Sequence, residues 1–214
     1  DNTVETGGRS EERRVGKAGR AGRSGDPKEA TATIADDDAS NVTITATNGA
    51  EPSSIGKFTL TLSNPVSVDV NVTYSVSGTA KADNDYTALS GTAKILANTK
   101  SIDIEIPVID DNTVETGGET VIAKITSADN AVTLGTTIEA TATIADDDAA
   151  NVTITATNGA EPSANGKFTL TLSKPVRVDV NLTYPVTGTA TPTADNTALS
   201  GTAKILANTT STDI

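Results

Sequence analysis

The sequence predicts an all-β protein, built of immunoglobulin-like antiparallel β-sandwiches in tandem copies with a 110-residue period. Three observations lead there. Apolar and polar residues alternate through most of the chain, the period of a strand with one buried face. Aromatic residues make up only 2%, and Met, Cys and Trp are absent, so a core must come from Val, Ile, Leu, Ala and Thr, a set that favours strands. The chain also overlays itself: residues 30–104 match 140–214 without a gap, with 60 of the 75 positions identical.

The elements follow in order. NVTITAT places Val42, Ile44 and Ala46 on one face, and KFTLTLS does the same with Phe58, Leu60 and Leu62. VSVDVNVTYSV alternates over Val66, Val68, Val70, Val72, Tyr74 and Val76. GTAKILA (91–97) is shorter and less regular, and SIDIEIPVI alternates Ile102, Ile104, Ile106 and Val108. ETVIAKITS (119–127) and TTIEATATIA (136–145) complete a set of seven. Between them lie the turn-rich pieces TNGAEPSSIG, KADNDY, LANTK and DDNTVETGG. No segment sustains helical periodicity. Seven short strands, each with one apolar face, pair best as two packed sheets. The disulfide and core tryptophan of immunoglobulin domains are absent, so that likeness is architectural. Asn41, Asn71, Asn151 and Asn181 stand in glycosylation-type triplets, which read more simply as Thr-rich strands.

The 110-residue unit is long enough to hold its own core, which favours tandem domains over a solenoid. Residues 30–148 are expected to form one complete domain, and 149–214 a second copy truncated at its C-terminal side. Residues 1–29 read as a remnant of a preceding copy, because DNTVETGG at 1–8 recurs at 111–118. The remnant is interrupted. Residues 9–28 carry seven of the sixteen Lys and Arg residues, almost no apolar residues and no strand period. The opening RSEERRVGK resembles the translation of a short-read sequencing adapter, so the segment is expected to be foreign to the gene and poorly ordered; a natural basic linker is the alternative.

Composition excludes much chemistry. Zero cysteines rule out a disulfide scaffold, a Cys-ligated zinc and a thiol nucleophile; zero histidines rule out a Ser-His-Asp triad and most zinc or copper sites. Oxygen ligands remain, and these suit hard cations. A net charge of -12 argues against a nucleic-acid partner. No apolar run is long enough for membrane insertion, and without a signal peptide or initiating Met the chain reads as a fragment.

The acids are not scattered. In a sandwich, alternate loops gather at the same end. The loop between the first and second strands holds Glu51, and that between the third and fourth holds Asp83 and Asp85. The loop between the fifth and sixth holds Asp110, Asp111 and Glu115, with Glu119 opening the sixth strand. The chain leaves the seventh strand at Asp146, Asp147 and Asp148. All four places fall at one end, while the loops at the other, SNP and LANTK, carry no acid. Acidic turns alone would serve solubility. Converging carboxylates are destabilising unless a cation neutralises them, and calcium takes six to eight oxygens at flexible geometry. Glu51, Asp85, Asp110, Asp111, Glu115, Glu119, Asp146, Asp147 and Asp148 are therefore candidate metal ligands, with room for more than one ion.

These words resemble the Calx-beta domain. The matching stretches are AEPSSIGKFTLTLS with Glu51, GTAKADNDYTALSGT with Asp85, IPVIDDNTVETGGETV with Asp110, Asp111, Glu115 and Glu119, and the closing ATIADDD with Asp146, Asp147 and Asp148. The resemblance implies Ca2+ as the cofactor, held by those acids. One departure concerns Glu119, which follows Glu115 by four residues where the family commonly has three. Direct ligation, ligation through water and an outward orientation all stay open for it. The second copy keeps Glu161 and Asp195, replaces Tyr86 by Asn196 and ends before its remaining acids, so no high-affinity site is expected there.

The expected function is that of a calcium-binding structural repeat in a large secreted or cell-surface bacterial protein, with ions stiffening the junction between repeats in an adhesion or biofilm role. Neighbouring repeats of the same chain are the expected partners, with a cell-surface or matrix ligand as a further candidate. A calcium-sensing regulatory domain of a membrane protein and an accessory module of a secreted enzyme are the alternatives. A glycan-binding module is disfavoured by the five aromatics, of which Phe58 and Tyr74 fall in core phase. No catalytic residues are expected: no nucleophile–base pair or substrate motif accompanies the acids.

Overall fold

In the computed structural model the described residues are 9–11, 32–34, 39–130, 132–162, 164–191 and 195–214. Strands β1 (Arg9–Glu11) and β2 (Ala32–Ile34) pair antiparallel. The rest of the basic 9–28 segment lies outside the described residues, as do Asp36, Asp37 and Asp38.

Alternation folds the next stretch into a two-sheet sandwich. β3 (Asn41–Thr47), β5 (Gly56–Leu62) and β8 (Ser101–Ile106) form one antiparallel sheet, edged by the short parallel β10 (Thr133–Leu134). β7 (Thr92–Ile95), β6 (Val70–Gly78), β9 (Glu119–Ala128) and β11 (Glu139–Ala145) form the other, edged by β4 (Gly49–Ala50). Each long strand turns its apolar residues inward. Val42, Ile44, Phe58, Leu60, Val70, Val72, Ile95, Ile106, Val121, Ala123 and Ala142 are fully enclosed between the sheets. Burying an aliphatic or aromatic side chain of this kind stabilises by about 1.5–3 kcal/mol.

All seven expected strands form, with two adjustments. The third starts at Val70 rather than Val66. Val66 stays buried, but its carbonyl accepts from Asn98 N and Asp69 Oδ1 accepts from Ala97 N, so residues 66–69 wrap the LANTK turn ahead of the strand. The short β4 and β10 were not expected. The chain leaves β3 and crosses to the other sheet to pair parallel with β11, as Ile144↔Gly49 and Ala145↔Ala50. Gly49 permits the crossing, since a Cβ there would sit 2.8 Å from Val108 Cγ2 and 2.9 Å from Ser54 O.

Residues 151–214 fold in the same register with half the cover. β12 (Val152–Thr157), β13 (Lys167–Leu172) and β16 (Ser211–Asp213) form one sheet, and β14 (Val180–Thr183) pairs β15 (Thr202–Ile205). The pair Thr169↔Asp213 corresponds to Thr59↔Asp103, and the Lys167–Asp213 and Lys57–Asp103 ion pairs both measure 2.7 Å. Among the described residues no counterpart of β9 or β11 covers this sheet, and Ile154 is 54% exposed where Ile44 is 0%. Leu170, Leu172, Val176 and Ile205 make the small core that this half retains.

Candidate metal centre

Four chain segments meet at one end of the complete sandwich, and backbone hydrogen bonds fasten them together. Glu51 follows β4, and its N donates to Ala145 O at the end of β11, so it stands beside the Asp146–Asp148 run. Asp85 lies in a turn where Asp83 takes a positive φ of 67°, and its Oδ2 accepts from Lys81 N at 2.5 Å. Ile109 N donates to Asp85 O and Thr87 N to Pro107 O, which ties this turn to the start of the 110–118 loop. Asp111 Oδ1 caps that loop by accepting from Thr113 N at 2.6 Å. Asp146 Oδ2 accepts from Glu115 N at 2.8 Å, and its Oδ1 accepts from Asp148 N. Gly118, at φ 69°, closes the loop where a Cβ would lie 2.8 Å from Ile144 O, and this delivers Glu119 opposite Ile144 in the β9–β11 ladder.

Eight of the nine candidate ligands thus gather around two clusters or the hydrogen bonds that hold them, and Asp148 flanks them. An outer cluster joins Glu51, Asp110 and Asp147; an inner one joins Asp85, Asp111 and Glu115. Within each, one carboxylate oxygen per residue lies within 4.8 Å of the others. Asp110 and Asp147 are exposed, whereas Asp85 is buried and Glu115 and Asp111 half-buried. Asp146 positions the loop through its two amide hydrogen bonds, and Glu119 is buried beside the inner cluster.

The electrostatics match a cation site. Burial, reinforced by Asp111, Asp146, Asp110 and Asp147, pushes the Glu51 carboxyl up to about 7. Burial and the Glu119 charge push Glu115 up to about 7 as well, against the opposing pull of Arg177. Burial also raises Glu119. Asp85 moves the other way: burial opposes its charge, but the hydrogen bonds donated by Arg177 and Lys81 N outweigh it and hold the carboxyl low. Buried Glu51 Oε2, Glu119 Oε2 and Asp148 Oδ2 have no hydrogen-bond partner. Buried oxygens of this kind need a donor or a cation. The donor set is all oxygen, spread over flexible carboxylates from four segments, which fits calcium and disfavours softer transition metals.

The Calx-beta domain family matches residues 40–148, just over half of the 214-residue chain. The chain belongs to the Calx-beta family. No curated protein matches it. Among solved structures, the apo form of the Calx CBD1 domain is 21% identical with a TM-score of 0.42, covering 50% of this chain and 99% of that one. The calcium-binding domain CBD12 of CALX1.1 is 19% identical with a TM-score of 0.46, covering 81% of this chain and 74% of that one.

Two residues that contact the acids of this Calx-beta protein were missed in the sequence. Arg177, from the loop after β13, reaches into the inner cluster: its Nη2 lies 2.9 Å from Asp85 Oδ1 and 2.7 Å from Glu115 Oε1, and its Nη1 hydrogen-bonds Glu119 Oε1. The Glu115 contact is one of charge only, since that oxygen accepts no hydrogen bond. Lys174 hydrogen-bonds Asp148. The signal existed. Overlaid on the first copy, Lys174 replaces Asn64 and Arg177 replaces Ser67, so both changes add positive charge to one end of the second copy. That end faces the acidic end of the first. In the second copy Glu161 and Asp195 are exposed and line an open cleft with Phe168 and Ile214.

Proposed function

We propose that this chain is a calcium-binding structural module in which ions at the acidic end of one sandwich stiffen its junction with the next, within a large secreted or cell-surface protein of adhesive role. The observation that carries this reading is the pair of carboxylate clusters drawn from four chain segments beside the residues that lead into the second copy. Without ions the clustered charge repels itself and loosens the loops; bound ions cross-link the segments. The acids act as ligands and not as a catalytic pair. Limited proteolysis tests the idea. Calcium should suppress cleavage in the 110–118 and 146–150 segments, and chelator should restore it. Calcium binding by calorimetry with an unchanged digestion pattern would reduce the module to a binder without a structural role.

A pH dependence follows from the same site. Glu51 and Glu115 are raised from the ordinary 4.5 to about 7, so the stability linked to them is fully present below about 4.5 and is lost as pH rises through about 7. Metal-free protein should therefore melt several degrees lower at about pH 7.5 than at about pH 5. Calcium must displace those protons, so its apparent affinity should rise over the same interval. Melting curves and calcium titrations at both pH values check this; a metal-free melting temperature that rises with pH contradicts it.

A further inference from the structure

Arg177 engages two of the three inner-cluster acids, Asp85 and Glu115, together with the adjacent Glu119. The contact is built, not incidental. Arg177 N donates to Val114 O at 3.0 Å and Val114 N donates to Pro175 O at 2.9 Å, so the second copy's Pro175–Arg177 segment pairs with the loop that carries Asp111 and Glu115. The guanidinium is three-quarters enclosed, with 23% of its side chain exposed. A divalent ion in the inner cluster would draw on the same Asp85 and Glu115 carboxylates that face Nη2. Two cations cannot both sit against those carboxylates at ligand distance, because each would desolvate and repel the other. The outer cluster of Glu51, Asp110 and Asp147 takes no part in the contact.

Building on the calcium reading, we propose that the inner cluster accepts either of two cations, a divalent ion or the Arg177 guanidinium of the following repeat. Arg177 is then a tethered competitor. It holds the inner part of the junction together when no ion is bound, while the outer acids still repel, and it weakens calcium at the inner cluster, leaving the outer cluster as the tight site. The first copy carries neutral Ser67 at the corresponding position, so the device is a property of this junction and not of every copy. Lys174, on Asp148, assists by fastening the neighbouring strand end.

Calorimetric calcium titration of the full chain and of Arg177→Ser tests this; the substitution installs the residue that the first copy already tolerates. The variant should bind the second ion about tenfold more tightly or better, in the range of ordinary coupling between sites. Adding Asp111→Asn should remove that gain. In chelator, Arg177→Ser should be cleaved faster than the parent at residues 146–150, while in saturating calcium the two should be cleaved alike. Calcium binding by both proteins with equal second-site affinity overturns the competition and leaves the calcium reading intact. Absence of binding by either protein overturns both.

Discussion

Calcium is expected to raise the melting temperature of this protein by about 15–30 °C over the same protein in chelator. The estimate rests on mass action: free ion at about a thousand times its dissociation constant stabilises the folded state by about 4 kcal/mol, and each kcal/mol moves a domain of about 100 residues by about 4–8 °C. The effect should be large because the metal-free end is poised against itself. Glu51 and Glu115 are both pushed up to about 7, and buried carboxylate oxygens stand without partners. The unfolded chain separates these acids and has no such site, so nearly all of the binding free energy becomes folding free energy. Calorimetric scans with calcium, with magnesium and with chelator check it. Magnesium should do little, since it demands rigid octahedral geometry. Indistinguishable melting temperatures in calcium and chelator would refute ion-dependent stability.

The second large effect separates the two copies. Phe58→Ala should destabilise the complete sandwich by about 3–5 kcal/mol, whereas Phe168→Ala, at the equivalent position, should cost less than about 1 kcal/mol. Phe58 is 0% exposed and packed between both sheets; Phe168 is 41% exposed on the β12–β13–β16 sheet, which no counterpart of β9 or β11 covers among the described residues. Truncation removes contacts and leaves a cavity in the first case, and only trims a half-wet surface in the second. Denaturant unfolding followed by tyrosine fluorescence suits the test, because Tyr74 and Tyr86 are both buried in the first sandwich. Equal losses for the two variants would mean that the second copy is as well covered as the first.

How much of this was legible beforehand differs by level. The core was readable from alternation alone: Val42, Ile44, Phe58, Leu60, Leu62, Val70, Val72 and Tyr74 all point inward as their phase requires. The strand starts were less so. Nothing local says that residues 66–69 will serve the turn at Asn98, since the bonds that decide it come from about 30 residues away in the chain. The crossing at Gly49 is likewise set by the approach of Val108 and Ser54, which only packing brings. At the candidate site, the gathering of acids followed from loop parity. Their division into an outer and an inner cluster did not, because Asp110 and Asp111 are neighbours in sequence yet turn to different partners.

By itself, then, the sequence determined the strand period, the inward residues, the acidic end and the oxygen-only donor set. Each of these depends on residue type and local spacing, which sterics and hydrophobicity read directly. The tertiary structure alone decided which carboxylates share a cluster, which are buried enough to hold protons near neutrality, and that Arg177 is their counter-ion. Those outcomes depend on distances between segments far apart in the chain, up to 92 residues for Asp85 and Arg177. Electrostatic energy falls with separation and rises with burial, and neither quantity exists until the sheets have packed.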